Sequence, residues 1–77
     1  MYEYNIEKNA DTKAFERTCL LIEKGAATFI KEELLVDVDG TQIQIYHTRE
    51  GKIKVVNDYE VDAVYVDAHV NLNNIFR

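Results

Sequence analysis

Residues 34–56, LLVDVDGTQIQIYHTREGKIKVV, alternate apolar and polar side chains around two glycines. Successive side chains of a strand point to opposite faces, so this alternation predicts an antiparallel meander with one buried and one open face. Asp39-Gly40 suits a two-residue type I′ turn, whose central positions need φ > 0. Closing the chain there pairs Val38 with Thr41, Val36 with Ile43 and Leu34 with Ile45. The run Arg49-Glu50-Gly51 predicts a three-residue second loop, which pairs His47 with Ile53 and Ile45 with Val55. These closures set Leu34, Val36, Val38, Ile43, Ile45, Ile53 and Val55 on one face. Asp37, Asp39, Gln42, Gln44, Lys52 and Lys54 take the other, with Leu35 among them. The assignment is sensitive, because a slip of one residue exchanges the faces.

The flanking segments complete the pattern. Tyr2, Tyr4 and Ile6 alternate with Glu3 and Asn5, which predicts a short first strand. Asn9-Ala10-Asp11-Thr12 supplies N-cap residues for a helix. Phe15, Cys19 and Ile22 lie on one helical stripe flanked by Ala14, Thr18 and Leu21, the pattern of a helix lying on a sheet. Gly25 is a natural stop, yet Ala26 and Phe29 continue the stripe, so the helix is expected to run to about Lys31. Farther on, VDAVYVDAHV puts Val61, Ala63 and Tyr65 on one face and Val64, Val66 and Ala68 on the other. Apolar residues on both faces mark an inner strand, or one covered by a partner. Leu72, Ile75 and Phe76 form an apolar tail, docked as a helical turn or left exposed. The expected fold is α+β: one helix on an antiparallel sheet of three to five strands, in the order β-α-β-β-β-β, with residues 1–77 as one domain.

Size and charge narrow the function classes. With 77 residues the chain makes one small domain, which buries only roughly 60% of its unfolded surface. No apolar run is long enough to cross a membrane, and MYEYNIEKN has no secretory-signal character. The single cysteine, Cys19, forms no internal disulfide, which points to the cytoplasm, or else to an oligomer that compensates for the thin core. Net charge is −5, with no clustered Lys and Arg, so direct binding to a phosphate backbone is not expected. The charge is also uneven: after Lys54 the only Lys or Arg is Arg77, whereas Asp58, Glu60, Asp62 and Asp67 all follow.

Leu35-Val36-Asp37-Val38-Asp39-Gly40-Thr41 resembles the first motif of the haloacid dehalogenase-like phosphatases, an apolar strand ending in D-x-D-G-T. The resemblance implies Asp37 as nucleophile and Asp39 as acid/base beside a magnesium ion. It covers seven residues of 77, and the chain is too short for the large α/β domain that supplies the rest of that family's site. The sequence after Thr41 also continues as an alternating strand, so the motif is read as a turn. An EF-hand reading fails because Gly40 follows directly on Asp39 and Tyr46 stands where the bidentate Glu belongs. Cys19, His47 and His69 are too few and too scattered for zinc. His47 is expected on the apolar face near a strand end, and Cys19 on the buried stripe of the helix. There is no serine for a nucleophile and no Gly-rich phosphate loop.

The functional expectation is therefore a protein-binding module with no catalytic residues, metal or cofactor. Asp58-Tyr59-Glu60-Val61-Asp62 alternates acidic with apolar residues. Asp58, Glu60, Asp62 and Asp67 would face a basic, nucleic-acid-binding surface on a target, with Tyr59 and Tyr65 as anchors. The rival expectation is a homodimer formed through Val64, Val66 and the Leu72–Phe76 tail.

Overall fold

The computed structural model describes residues 1–76. The elements are β1 (Tyr2–Glu7), α1 (Thr12–Gly25), β2 (Ile30–Lys31), β3 (Leu35–Val36), β4 (Gln42–His47), β5 (Lys52–Asp58) and β6 (Ala63–Ala68). All strands join one antiparallel sheet in the order β1–β6–β5–β4–β2, and β3 pairs with β4 beside β2. The α+β class and the β-α-β-β-β-β order hold. The count rises to six strands because Ile30–Lys31 forms a short strand of its own.

Asp11 caps α1: its Oδ1 accepts from the amides of Lys13 at 2.9 Å and Ala14 at 3.2 Å, satisfying donors that no helical turn can reach. Ala14, Phe15, Thr18, Cys19 and Ile22 are buried against the sheet, as the stripe requires. The helix does not continue to Lys31; it ends at Gly25, where Ala26 turns extended and its N–H closes on the Ile22 carbonyl. Two tertiary contacts outweigh the local stripe. A Cβ at position 25 would lie 2.6 Å from Ile75 Cδ1, so the C-terminal tail docks where a helix would otherwise proceed. Phe29 leaves the helical path to set its ring edge-on to Tyr46, with centroids 5.4 Å apart.

The register differs from the sequence expectation at both turns. The Asp37 amide donates to the Thr41 carbonyl, and Leu35 stands opposite Ile43, so the first loop is Val38-Asp39-Gly40 with Gly40 at φ 92°. This is a three-residue closure with glycine in the left-handed position. At the second turn Thr48 and Gly51 exchange backbone hydrogen bonds around a two-residue loop, Arg49-Glu50. Each turn is off by one residue, so β4 is turned over while β5 keeps its expected face. Tyr46, Gln44 and Gln42 therefore lie in register with Ile53, Val55 and Asn57 on the helix side. Ile43 and Ile45 take the open face, half-buried, beside the buried Val56.

Tyr46 explains the preference for this register. It is fully buried, and its hydroxyl donates to Glu23 Oε2 at 2.6 Å, so a larger side chain than Ile is buried with its polar tip satisfied. Gln44, also buried, donates through Nε2 to the Glu32 carbonyl at 2.6 Å. Leu34, Val36 and Val38, expected in the core, lie beyond the reach of the helix. They are 43%, 62% and 102% exposed.

The core joins Ala14, Phe15, Cys19 and Ile22 to Tyr46, Ile53, Val55, Val64, Val66, Ala68 and Leu72. Strand β6 is an inner strand, between β1 and β5. Its Val64 and Val66 are buried beneath the helix, and the tail docks on the core through Leu72, Ile75 and Phe76. A single turn closes the tail, with Ile75 and Phe76 amides on the Leu72 carbonyl, and the Leu72 amide donates to Tyr4 Oη at 2.7 Å. Of the residues expected at a homodimer interface, Val64, Val66 and Leu72 are buried in the chain's own core, and Ile75 and Phe76 pack against it half-buried. Among the described residues no helix is long and apolar enough to cross a membrane.

Candidate functional site: the end formed by the two acidic turns

The β3–β4 turn and the β5–β6 turn emerge at the same end of the sheet and are fastened together. The Tyr59 amide donates to Thr41 Oγ1 at 3.0 Å. The Tyr59 ring lies over Gly40, 3.6 Å from where a Cβ would stand. At the far side of that ring, Tyr59 Oη and Thr12 Oγ1 are 3.3 Å apart, which ties in the start of α1. The segment VDVD (36–39), set aside as a turn, therefore stands beside DYEVD (58–62). Both alternate acidic and apolar residues, and Val38, Tyr59 and Val61 are all exposed between the carboxylates.

The expected contact residues have unequal roles. Asp58 is structural: Oδ1 accepts from the amides of Glu60 at 2.9 Å and Val61 at 3.1 Å, and Oδ2 accepts from Tyr65 Oη at 3.3 Å. Burial, followed by the nearby Asp58 carboxylate, pushes the Tyr65 phenol up. Asp62 is structural too. It sits at φ 60°, accepting from the Ala10 amide at 2.8 Å and Asn9 Nδ2 at 2.9 Å. Those two donors, the amide foremost, hold its carboxyl below the usual range. Glu60 is exposed at the tip of the turn. Asp67 lies apart from the turns, on the open face in register with Glu3 and Lys54. The structure thus gathers Asp58, Tyr59, Glu60, Asp62 and the Tyr65 hydroxyl, and it separates Asp67 from them.

Asn57 organises this end, and sequence reasoning passed over it. It is fully buried; its Oδ1 accepts from the Asp11 amide at 2.9 Å and its Nδ2 donates to Gln42 Oε1 at 2.9 Å. One side chain thereby joins β5, β4 and the helix cap. A signal was present, since Asn57 continues the inward face of Ile53 and Val55, where an amide must find partners.

The remaining reactive groups are dispersed. The Asp37 and Asp39 carboxylates accept from the Val38 and Thr41 amides, and Thr41 leads into β4. The Thr41 amide, then its hydroxyl, holds the Asp39 carboxyl low. Burial pushes the Cys19 thiol up, away from the reactive thiolate. His47, expected on the buried face, is exposed on the open one because β4 is turned over, and its Nε2 meets Glu32. Among the described residues no group of three His, Cys, Asp or Glu could hold a metal. A concavity of about 730 Å³ lies at the opposite end between Thr28, Arg49, Asn71 and Ile75.

Comparison with known protein families, with curated proteins and with solved structures finds no match to this chain. Fold and site together define a class: a small α+β protein whose sheet is covered on one face, with an acidic end tipped by exposed apolar side chains.

Proposed function

We propose that this chain is a small, non-enzymatic, cytoplasmic protein-binding module. It acts as an acidic inhibitor or adaptor that occupies a basic surface of a target protein, one that otherwise holds nucleic acid. The observation that carries this reading is the juxtaposition of the 36–39 and 58–62 segments through Tyr59, Gly40 and Thr41. Carboxylates alone make weak, screened contacts with a solvated surface. Val38, Tyr59 and Val61 add apolar area among them, which is what a stable interface needs at its centre. Tyrosine suits the role because it buries area with few rotors and keeps a polar tip.

A salt series with the immobilised protein tests the proposal. Capture of a basic target should weaken steeply as ionic strength rises from about 0.05 to 0.3 M. Glu60→Lys and Tyr59→Ala should each weaken it further at fixed salt. Capture indifferent to salt and to both variants would contradict the reading.

A further inference from the structure

We infer that the β2–β3 edge of the sheet receives an extended basic segment of the partner as an added strand. This deepens the proposed function and rests on it, since the partner is the same basic protein. Among the described residues strands β2 and β3 pair only with β4, which leaves their outer edge without a partner strand. The Asp37 amide bonds inward to Thr41 and the Glu32 amide inward to Ile45. Alternation counted from Glu32 turns the backbone groups of Lys31 outward, and alternation counted back from Asp37 turns those of Val36 and, just before β3, Leu34 outward; the register shifts by one residue between the two strands, within residues 32–34. Leu34 and Val36, two residues apart, have the spacing an incoming strand uses for its own donors and acceptors. Their side chains and that of Leu35 are about half exposed, at 43%, 62% and 51%.

Charge selects the occupant. Residues 31–39 carry Glu32, Glu33, Asp37 and Asp39 against Lys31 alone, and the Lys31 ammonium is held 2.8 Å from Glu23. Antiparallel pairing of two copies along this edge would set carboxylates against carboxylates, which is unfavourable in cross-strand positions. The same carboxylates favour a strand that alternates Lys or Arg with strand-forming residues such as Val and Thr. The edge runs directly into the Val38-Asp39-Gly40 turn, so one segment of the partner reaches both the edge and the acidic end.

The test uses the full chain and the heptapeptide KTKVKTK, followed by amide hydrogen exchange and titration. A fully N-methylated version of the peptide keeps the charge and removes every amide N–H. The inference expects the parent peptide to slow exchange at Leu34 and Val36. It expects the N-methylated peptide, and the variant Val36→Pro, to bind at least about tenfold more weakly, as the loss of one or two backbone bonds implies. The Val36→Pro change removes an outward N–H and no ladder bond, and unchanged circular dichroism would confirm its fold. Equal binding of both peptides, with shifts confined to the two turns, overturns the added strand and leaves the acidic-surface reading standing. Absence of peptide binding overturns the added strand, while salt-dependent capture of a target would still support the wider reading. Protection at Leu34 and Val36 that grows with protein concentration, without peptide, overturns it in favour of a second copy.

Discussion

Replacing Asn57 with Ala should cost more stability than any other single polar change at the acidic end. Asn57 is fully buried, accepting from the Asp11 amide at 2.9 Å and donating to Gln42 Oε1 at 2.9 Å. Alanine keeps the strand but strands both partners. The Asp11 amide belongs to the helix cap and is partly shielded, so leaving it unpaired costs about 1–3 kcal/mol. Gln42 is only half-buried and can turn towards water, so its share is about 1 kcal/mol. The sum is about 2–4 kcal/mol, against a total of about 4–12 kcal/mol for a domain of this length. Urea unfolding followed by circular dichroism reads it directly, and the melting temperature should fall by about 10–25 °C. A double-mutant cycle with Gln42→Ala separates the two bonds. Gln42→Ala alone leaves the buried Asn57 Nδ2 unpaired and should cost about 1–3 kcal/mol, and the coupling should be about 0.5–1.5 kcal/mol. A loss below about 0.5 kcal/mol for Asn57→Ala, with an unchanged m-value, would refute the claim that this side chain fastens the helix cap to the sheet.

Three further outcomes follow from the same geometry. Tyr46→Phe removes a 2.6 Å hydrogen bond to Glu23 and should cost about 1–2 kcal/mol in urea, less than a sealed charge-assisted bond because Glu23 keeps Lys31. Gly40→Ala should cost about 1–2 kcal/mol in thermal unfolding, since φ 92° strains any L side chain, although the Tyr59 ring leaves room for the methyl group. Glu23 and Asp62 have carboxyls held low in the folded chain, the first mainly by Lys31 and then Tyr46, the second mainly by the Ala10 amide. A depressed folded pKa gives stability that is fully present above the unfolded carboxylate range and lost as pH falls through the folded value. The urea midpoint should therefore hold from pH 7 to about 5 and drop below about 4, with a shallower drop in Asp62→Asn.

The helix stripe and the first strand were legible as local patterns, whereas the Asp11 cap and the inner position of β6 were each legible only as one of the alternatives that Asn9–Thr12 and VDAVYVDAHV left open. The faces of β4 were not, because both turns admit two closures one residue apart. Asp39-Gly40 offers a left-handed glycine to either loop length, and the choice is made by long-range groups: the Tyr46 hydroxyl finding Glu23 and the Gln44 amide finding Glu32. The stop at Gly25 was likewise decided by Ile75, fifty residues away. At the candidate site, sequence pattern picked out 58–62 but not its neighbour 36–39, since only the fold brings Tyr59 over Gly40. It also read Asp58 and Asp62 only as carboxylates facing a partner, without their hydrogen bonds inside the chain. Their positions in turns are a common signal for backbone capping, and that is how the chain uses them.

Both functional proposals need β4 in its observed register, with Ile43 and Ile45 outward and the edge from Lys31 to Val38 left bare. Proton–proton distances in solution decide this most directly. The Tyr46 ring should show close cross-peaks to the Phe29 ring, whose centroid lies 5.4 Å away, while Ile45 shows none to α1. Cross-peaks from the Ile43 and Ile45 methyl groups to Phe15 and Ile22, with Tyr46 facing water, would reverse the sheet and remove the ground for the acidic end and the open edge alike.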